Sequence, residues 1–496
     1  MIFRKLSALF LLFPFLLASS RPFAHASRSA SVAATPPMGW NSWDAYGLTI
    51  TEEQFRGDVS ALAKDLKPYG WNYAVIDEGW FFFNPQDRLR PDTLHYAIDA
   101  NGRYVPVPER FPSVGTMSAN QPTTAGTSAP KLAATIGDTS FKSLGDFVHA
   151  QGLKFGIHIV RGIPRASVER NLPIADSSFK VTDAADTSDA CPWDPTNWGV
   201  KDNAAGHAWY DSLLKQYAAW GVDLLKVDCI SNNPYKVDEI RMIRRAIDKT
   251  GRPIVLSLSP GPTNLSHADE VASLAQMWRI SNDVWDYWTN TRGFPIAVSS
   301  QFARLASWAK YAKPGNWPDA DMLPLGELRP SPGDGRARTT RLTPDEQRSL
   351  MTLWSIGRSP LVLGANLTLL DDATRKLLTT PDVLRVDQAA TASREALHNG
   401  STIAWTADLP AKLPSGLPPG LRPAKHSDAD GATTALALFN TGDMPVTISN
   451  SFSAYGLDGA AYKVTDAWTG KPLGRMKSVE NITLAPHASV MWLLKK

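Results

Sequence analysis

The chain has few of the residues from which proteins build metal and redox sites. Its 496 residues include only two cysteines and nine histidines, and no H-x-H pair occurs among the histidines. A zinc site needs three or four such ligands at close spacing, so this composition argues against a metal-dependent hydrolase. We therefore expect no metal site.

An excess of charge of one sign is also absent. The formal net charge is +3, which equals the contribution of Arg4, Lys5 and Arg21, so residues 27–496 carry no net charge. Proteins that bind nucleic acid or anionic membranes usually carry a basic excess. We expect neither kind of partner.

Only one apolar run resembles a targeting segment. Leu6–Ala18 follows two cations and precedes the small-x-small sequence Ala24–Ala26. Together these features predict a signal peptide over residues 1–26 and export to a periplasm or the medium. An uncleaved anchor is the alternative, but about 13 apolar residues fall short of the ~20 that span a bilayer.

The full chain is 43% hydrophobic, and after the predicted signal peptide its apolar runs alternate with amphipathic stretches such as Thr51–Leu66 and Ala204–Trp220. This alternation predicts a (β/α)8 TIM barrel over residues 27–387, with a long loop near 113–139 and another at Gly326–Pro344. The eight candidate strands are Met38–Trp43, Tyr73–Asp77, Lys154–Val160, Val222–Asp228, Pro253–Ser259, Met277–Asp283, Trp317–Leu323 and Pro360–Ala365.

The pattern changes after about Asp387. Short alternating runs such as Thr433–Phe439 and Val490–Leu494 are separated by Gly, Asn and Pro. Such runs are typical of antiparallel sheets. We expect residues 388–496 to form a C-terminal antiparallel β-sandwich domain.

Two carboxylates are the first candidates for chemistry. The apolar run Val222–Cys229 ends in Lys226 and Asp228, as expected for a buried barrel strand that delivers a charged group to the C-terminal rim. A second segment, Met277–Trp288, carries Arg279 and Asp283. Acids on different strands can converge at a barrel rim, and glycoside hydrolysis requires such a pair.

Asp283 has the apolar neighbours Trp278, Val284 and Trp285, which predict apolar surroundings for its carboxyl group. Asp286 lies three residues farther on. We expect Asp286 to cap or to form a local salt bridge, and we leave it out of the catalytic pair.

Cys191 and Cys229 are the two cysteines, and Cys229 directly follows Asp228. In an exported protein they can form a disulfide that would fix the loop at the rim. Two free buried thiols are the alternative.

Several motifs in one order resemble glycoside hydrolase family 27, the melibiase-type α-galactosidases. They are Pro37–Trp43, Lys226–Cys229, Arg279–Asp283 and Asp319–Met322. The resemblance covers nearly the whole mature chain. It implies a retaining exo-glycosidase without a cofactor, with Asp228 as nucleophile and Asp283 as general acid/base, whose carboxyl groups lie about 5–5.5 Å apart.

The resemblance also assigns contacts to the sugar. Trp43 would stack on the ring, Asp77 would accept from the axial 4-hydroxyl, Lys226 would bridge ring hydroxyls and Arg279 would hold the 2-hydroxyl. The substrate implied is an α-galactoside oligosaccharide or polysaccharide, from which a terminal α-D-galactosyl residue is removed.

Three positions depart from the family pattern. Glu78 stands where a second Asp is common near the 6-hydroxyl, and its extra methylene would crowd C6 and favour β-L-arabinopyranose. Ser259 stands where many members have Glu, and its shorter side chain could admit a 2-acetamido group. His158 stands where Tyr is common, and it could bind the sugar or simply pack.

These departures leave three further functions beside α-galactosidase activity. They are β-L-arabinopyranosidase activity, α-N-acetylgalactosaminidase activity, and carbohydrate binding without catalysis. The last is disfavoured because both candidate catalytic acids are present, together with Lys226 and Arg279.

Overall fold

The computed structural model describes residues 32–87, 95–115, 133–135, 139–329, 336–410, 417–422 and 431–496. The predicted signal peptide and most of the predicted loop near 113–139 lie outside these residues. Within the described ranges, no helix is both long and apolar enough to cross a membrane.

Eight parallel strands form the central sheet, in the spatial order β7-β6-β5-β4-β3-β2-β1-β8. Beyond β7, Leu323 donates its amide to Val362 of β8 at 2.8 Å, and this bond closes the sheet into a barrel. The predicted fold class is confirmed, and each of the eight predicted strands contains an observed strand, several of which are shorter than predicted. The strands are β1 (Met38–Asn41), β2 (Tyr73–Ile76), β3 (Lys154–Val160), β4 (Val222–Asp228), β5 (Val255–Leu258), β6 (Met277–Arg279), β7 (Trp317–Asp319) and β8 (Leu361–Leu363).

Helices alternate with these strands. Thr51 begins the first with a capping box, in which its hydroxyl accepts from the Gln54 amide and the Gln54 side chain accepts from the Thr51 amide. The main helices are α1 (Glu52–Ala61), α2 (Lys142–Ala150), α3 (Ala204–Ala219), α4 (Val237–Thr250), α5 (Ala268–Leu274), α6 (Gln301–Trp308), α7 (Pro344–Gly357), α8 (Asp372–Leu378) and α9 (Pro381–Ala389).

Short strands decorate the barrel. The predicted loop Gly326–Pro344 contains one such pair, because two residues near its start pair antiparallel with two residues on its far side. The short strands are Tyr96–Ile98, Ala133–Thr135, Ile163–Pro164, Ala185–Ala190, Asn197–Val200, Glu327–Leu328 and Arg338–Thr339.

Side chains that face the barrel axis change from apolar to charged along the strands. Leu224, Met277 and Trp317 belong to one buried apolar cluster. Because strand side chains alternate between faces, the residues two positions later share their orientation. On β4 and β6 these are Lys226 and Arg279, so the barrel core ends in a charged layer.

The C-terminal strands form a six-stranded antiparallel sheet in the order β9-β10-β11-β16-β13-β14, and β12 pairs with β15. Alternate residues of the large sheet face the barrel core (Trp405) or the outer pair (Ala404), so both faces are buried. The strands are β9 (Thr391–Asn399), β10 (Thr402–Asp408), β11 (Thr434–Asn440), β12 (Val446–Ser451), β13 (Tyr462–Asp466), β14 (Pro472–Met476), β15 (Ser478–Leu484) and β16 (Ser489–Lys495).

Candidate active site

A cleft of about 430 Å³ opens at the C-terminal ends of the barrel strands. All but one of the predicted catalytic and sugar-binding residues line it, His158 being the exception. Those that line it are Trp43, Asp77, Glu78, Lys226, Asp228, Ser259, Arg279 and Asp283. The lining also includes residues to which the sequence assigned no role, among them Asp44, Trp193, Asn232, Asn233, Trp285, Phe294 and Asp321.

Asp77 and Lys226 form a buried ion pair across the barrel. Lys226 Nζ lies 2.8 Å from Asp77 Oδ2, and Asn41 Nδ2 donates to the same oxygen at 2.6 Å. Burial opposes ionisation of Asp77, but Lys226 and His158 outweigh it and hold the pKa of this carboxyl below its usual range. Both groups are therefore charged at neutral pH.

Asp228 occupies the last position of β4. Its Oδ1 accepts from the Cys229 amide at 2.9 Å, and its Oδ2 lies 3.4 Å from His158 Nε2. Burial would raise the pKa of Asp228, but the His158 hydrogen bond, the nearby charges of His158 and Lys226 and the Cys229 amide together lower it. An ionised carboxylate thus faces the cleft.

His158 is 1% exposed and lies behind Asp228. It neighbours Lys226 in the register of β3 and β4, and its carbonyl accepts from the Trp80 indole at 2.8 Å. Of the two roles that the sequence left open, packing fits this position better than contact with sugar. The His158 ring contacts the Asp228 carboxylate rather than the space where a sugar would bind.

The disulfide between Cys191 and Cys229 is confirmed, with Cα atoms 5.9 Å apart. Arg161 supports the same loop: its Nε donates to the Cys229 carbonyl at 2.7 Å, and its terminal nitrogens contact Asp189 at 2.9 Å. The segment that carries Trp193 is thereby tied to the strand end that carries Asp228.

Asp283 lies four residues beyond the end of β6, on a segment that pairs with Ile296. Its side chain is 46% exposed, and Arg279 Nη2 lies 3.2 Å from its Oδ1. Of its predicted apolar neighbours, Trp278 is buried within β6, whereas Val284 and Trp285 line the cleft with Asp283, which they leave partly exposed. Asp283 is therefore accessible to solvent.

Asp321 was quoted only as part of a motif, yet it organises this region. Its Oδ2 accepts from Arg279 Nη2 and from the Val284 amide, each at 2.6 Å. Burial raises the pKa of Asp321 to about 7, with Arg279 opposing that rise and Asp283 and Asp319 adding to it. Asp321 lies four residues after Trp317, so the two-residue alternation of strand side chains would have predicted that it faces the barrel axis.

Asp44 gave no signal in the sequence. It is 2% exposed, and among the described residues its Oδ2 has no hydrogen-bond partner. Burial, with Asp321 adding to it, raises the pKa of Asp44 well above its usual range and so favours the protonated form of this cleft residue. A Cβ at Gly364 would approach that oxygen to 2.1 Å, so glycine leaves room for the carboxyl.

Asp286 is buried and stays outside the cleft lining. Arg338 holds it through two hydrogen bonds of 2.6 and 2.9 Å. An ion pair was expected, but the partner lies 52 residues away rather than nearby in the sequence. Arg338 belongs to the Gly326–Pro344 segment, which the fold brings next to Asp286.

Comparison with known proteins agrees with this arrangement. Residues 199–389 match the profile described as α-galactosidase A, and residues 425–494 match the α-galactosidase C-terminal β-sandwich domain. α-N-Acetylgalactosaminidase of Gallus gallus is 26% identical over 93% of this chain and 94% of its own length. α-Galactosidase A of Cellvibrio japonicus is 26% identical over 74% and 70%.

Among solved structures, a GH27 β-L-arabinopyranosidase from Geobacillus stearothermophilus superposes with a TM-score of 0.79. It is 37% identical, and the alignment covers 94% of this chain and 98% of the other. The similarity of fold and sequence therefore extends over almost the full length of both chains. The chain belongs to glycoside hydrolase family 27 and is a glycoside hydrolase.

Proposed function

We propose that this enzyme removes a terminal pyranose by double displacement with retention, and that its preferred glycone is β-L-arabinopyranose. The observation that carries the choice of sugar is the position of Glu78. This residue is 4% exposed and lines the cleft directly beside Asp77.

Asp228 is the proposed nucleophile. Its carboxylate is kept ionised by His158 and Lys226, as attack on C1 requires. One carboxylate oxygen bonds to C1 while the bond from C1 to the leaving oxygen breaks. The covalent glycosyl-enzyme then holds the sugar through Asp228.

Asp283 is the proposed general acid/base. In the first step its proton passes to the leaving oxygen; in the second it takes a proton from the water that attacks C1. Its 46% exposed side chain allows water to reach it after the leaving group departs. Arg279 lies within 3.2 Å and orients the carboxyl group.

The inner end of the cleft suits a galacto-configured ring. Asp77 and Lys226 offer a charged acceptor and donor fixed 2.8 Å apart, and Trp43 offers an aromatic face. Such a pair can hold neighbouring hydroxyls. The same contacts serve galactose and β-L-arabinopyranose, which differ only at C6.

Glu78 decides between those sugars. The Glu78 amide is held 2.9 Å from Asp77 Oδ1, so the backbone beside the sugar site is fixed. A Glu extends one methylene farther than the Asp expected there, and overfilling a fixed site costs about 1–3 kcal/mol. A sugar without the hydroxymethyl group avoids that cost.

One of the named relatives supports this choice. The structural relative described as a β-L-arabinopyranosidase is 37% identical, whereas the two curated relatives quoted above are each 26% identical.

α-Galactosidase activity is the second candidate, because both matching profiles are named for that activity. A 2-acetamido sugar is a weaker one. It is favoured by Ser259, which lines the cleft with a short side chain.

The test compares kcat/KM for 4-nitrophenyl β-L-arabinopyranoside and 4-nitrophenyl α-D-galactopyranoside. We expect the wild type to prefer the arabinopyranoside and Glu78→Asp to shift the ratio at least about tenfold toward galactoside. Glu53→Asp, an exposed change in α1, is the matched control. Preference for galactoside by the wild type would contradict the proposal.

A further inference from the structure

The β-sandwich domain contacts the segment that carries the proposed acid/base, at a point outside the cleft. We call residues 283–299 the acid/base segment, because they begin with Asp283. The imidazole of His487, in the turn between β15 and β16, stacks on the Trp288 indole with ring centroids 4.7 Å apart and planes inclined by 22°. Neither residue lines the cleft. An influence of this contact on the reaction must therefore pass through the segment itself.

The acid/base segment is one hydrogen-bonded unit from Asp283 to Trp288. The Asp283 carbonyl accepts from the Ile296 amide at 2.8 Å, and the Trp288 carbonyl accepts from the Ser299 amide at 3.0 Å. Between these two bonds the backbone is paired by two further bonds of 2.9 and 3.1 Å. A displacement of Trp288 therefore reaches Asp283 through the backbone.

The barrel holds the part of the segment that lies next to Asp283. Asp321 accepts from the Val284 amide at 2.6 Å, and Arg338 pairs with Asp286 through two hydrogen bonds of 2.6 and 2.9 Å. These contacts fix the backbone as far as Asp286.

The side chain of Trp288 depends on ring packing instead. It is buried, and among the described residues its indole N–H has no hydrogen-bond partner. Its ring packs on Phe302, edge to face at 6.3 Å, and on His487 at 4.7 Å. His487 is the nearer of these two rings, and it comes from the β-sandwich domain.

Two carboxylates hold the His487 ring in place. Its Nδ1 lies 2.7 Å from Glu346 Oε1, and its Nε2 lies 2.9 Å from Asp443 Oδ1. Asp443 is exposed, so its pair with His487 contributes little. Glu346 is buried on α7, and its other oxygen accepts from the Thr343 amide at 2.8 Å. Glu346 thus fixes the ring relative to the barrel.

The backbone of His487 adopts a conformation that usually selects glycine. Its φ is +60°, and it follows Pro486 in a turn in which the Ala488 amide donates to the Ala485 carbonyl at 3.1 Å. Proline followed by a residue of positive φ is the pattern of a type II turn, in which Gly or Asn normally takes the second of these places. Histidine is strained there, and such strain is often found where a side chain has a function.

We propose that His487 is a positioning residue for Asp283. Through its contact with Trp288, the β-sandwich domain holds the acid/base segment so that the Asp283 carboxyl group faces the leaving oxygen. This inference rests on the proposed role of Asp283 as general acid/base. It gives the C-terminal domain a part in the reaction, although the residues that line the cleft all belong to the barrel.

A misplaced acid impairs the reaction selectively. Proton transfer by a positioned group contributes about 10²–10⁴-fold to a rate, and a misplacement of about 1 Å can cost about 10²-fold. Poor leaving groups need the proton, whereas good ones depart without it. Loss of the His487 ring should therefore resemble a partial loss of Asp283. Loss of folded protein would instead lower the rate equally for all leaving groups.

The test is His487→Gly, which removes the ring and suits the positive φ. Values of kcat/KM are measured on the phenyl and the 2,4-dinitrophenyl glycoside of whichever sugar, arabinopyranose or galactose, the wild type turns over faster. We expect a loss of about tenfold with the poor phenol leaving group and of less than about twofold with dinitrophenol. The ratio of the two values does not depend on the folded fraction, so an unstable variant still gives an answer.

Asn481→Gly is the matched control. Asn481 also has a positive φ, of 53°, and lies in β15 of the same domain, but it is exposed. This variant should leave the ratio unchanged. A wild-type ratio in His487→Gly would overturn the proposal, as would a shift of the same size in the control.

Asp283→Asn on the same two substrates separates this proposal from the role of Asp283 itself. If Asp283→Asn changes the ratio and His487→Gly does not, the positioning role alone fails. If Asp283→Asn leaves the ratio unchanged, the acid assignment fails and this inference fails with it.

The double variant gives the last comparison. Adding His487→Gly to Asp283→Asn should leave the ratio where Asp283→Asn sets it, because no acid remains to be misplaced. A further change of the ratio would show that the His487 ring acts by a route other than Asp283, and would overturn the proposal.

Discussion

Asp321 Oδ2 lies 2.6 Å from Arg279 Nη2. The same oxygen accepts from the Val284 amide at 2.6 Å, so one buried carboxylate fixes both the guanidinium beside Asp283 and the backbone that follows Asp283. This geometry makes Asp321 a positioning residue for the proposed acid/base.

Asp321→Asn should lower kcat/KM about 10- to 100-fold, since a charged hydrogen bond is worth about 1.5–3 kcal/mol. If Arg279 holds the 2-hydroxyl, the loss should be smaller for a 2-deoxyglycoside than for its parent. Steady-state kinetics on the two substrates checks this. An equal loss on both would mean that the residue acts on the fold alone.

His158→Gln should raise the pKa of Asp228, because the His158 hydrogen bond is the strongest influence that lowers it. A depressed pKa keeps the carboxylate ionised in mild acid, so its rise moves the acid limb of kcat/KM to higher pH. The variant should lose more activity near about pH 5 than near about pH 7.

The pH profile of kcat/KM checks this, with His149→Gln as control. His149 also pairs with an aspartate, at 2.8 Å from Asp223, but lies outside the cleft lining. An unmoved acid limb in the His158 variant would contradict its influence on Asp228.

Asp228→Asn should reduce kcat at least about 10⁴-fold while the fold is retained, because an amide cannot form the glycosyl-enzyme. A 2-deoxy-2-fluoroglycoside with a good leaving group should label the wild type at Asp228, as read by peptide mass spectrometry. Labelling elsewhere, or substantial residual turnover, would remove this residue as nucleophile. Asp372→Asn, at a side chain 99% exposed, should change nothing.

Asp283→Asn should harm substrates with poor leaving groups most, since these depend on proton donation. Across a series of aryl glycosides, kcat/KM should fall steeply as the pKa of the leaving phenol rises. The wild type should show a shallower dependence. Equal slopes would count against an acid role.

Replacement of Cys191 and Cys229 together by Ala should lower the free energy of unfolding. The bridge closes a sequence separation of 38 residues, for which the loop-entropy relation gives about 4 kcal/mol. Urea denaturation of the double variant measures it. If the Trp193 loop depends on the bridge, its backbone amides should also exchange hydrogen faster.

Much of the fold was predictable from local pattern. Buried parallel strands consist mainly of consecutive apolar residues, and each of the eight predicted apolar runs contains one of the eight barrel strands. The two-residue spacing of Lys226 and Asp228 placed both on the axial face, where they line the cleft. The disulfide was predicted as one of two alternatives and is confirmed.

The surroundings of the catalytic acids were less predictable. Asp283 has apolar neighbours in sequence, but its side chain points into the open cleft. His158 was left open between sugar binding and packing, and it lies behind Asp228. Asp286 binds an arginine from a distant segment. For His158 and Asp286 the deciding neighbour comes from elsewhere in the chain.

The sequence by itself determined the alternation of strands and helices, the change to antiparallel strands after residue 387, and the strands that deliver charged groups to the rim. Period-two alternation and apolar runs are local properties, so they can be seen before folding. Only the tertiary structure decided that Asp321 holds Arg279, that Asp44 is buried without a partner for its Oδ2 among the described residues, and that the loops bearing Trp193 and Phe294 line one cleft. The burial and the ionisation of these side chains depend on groups that become neighbours only when the barrel closes.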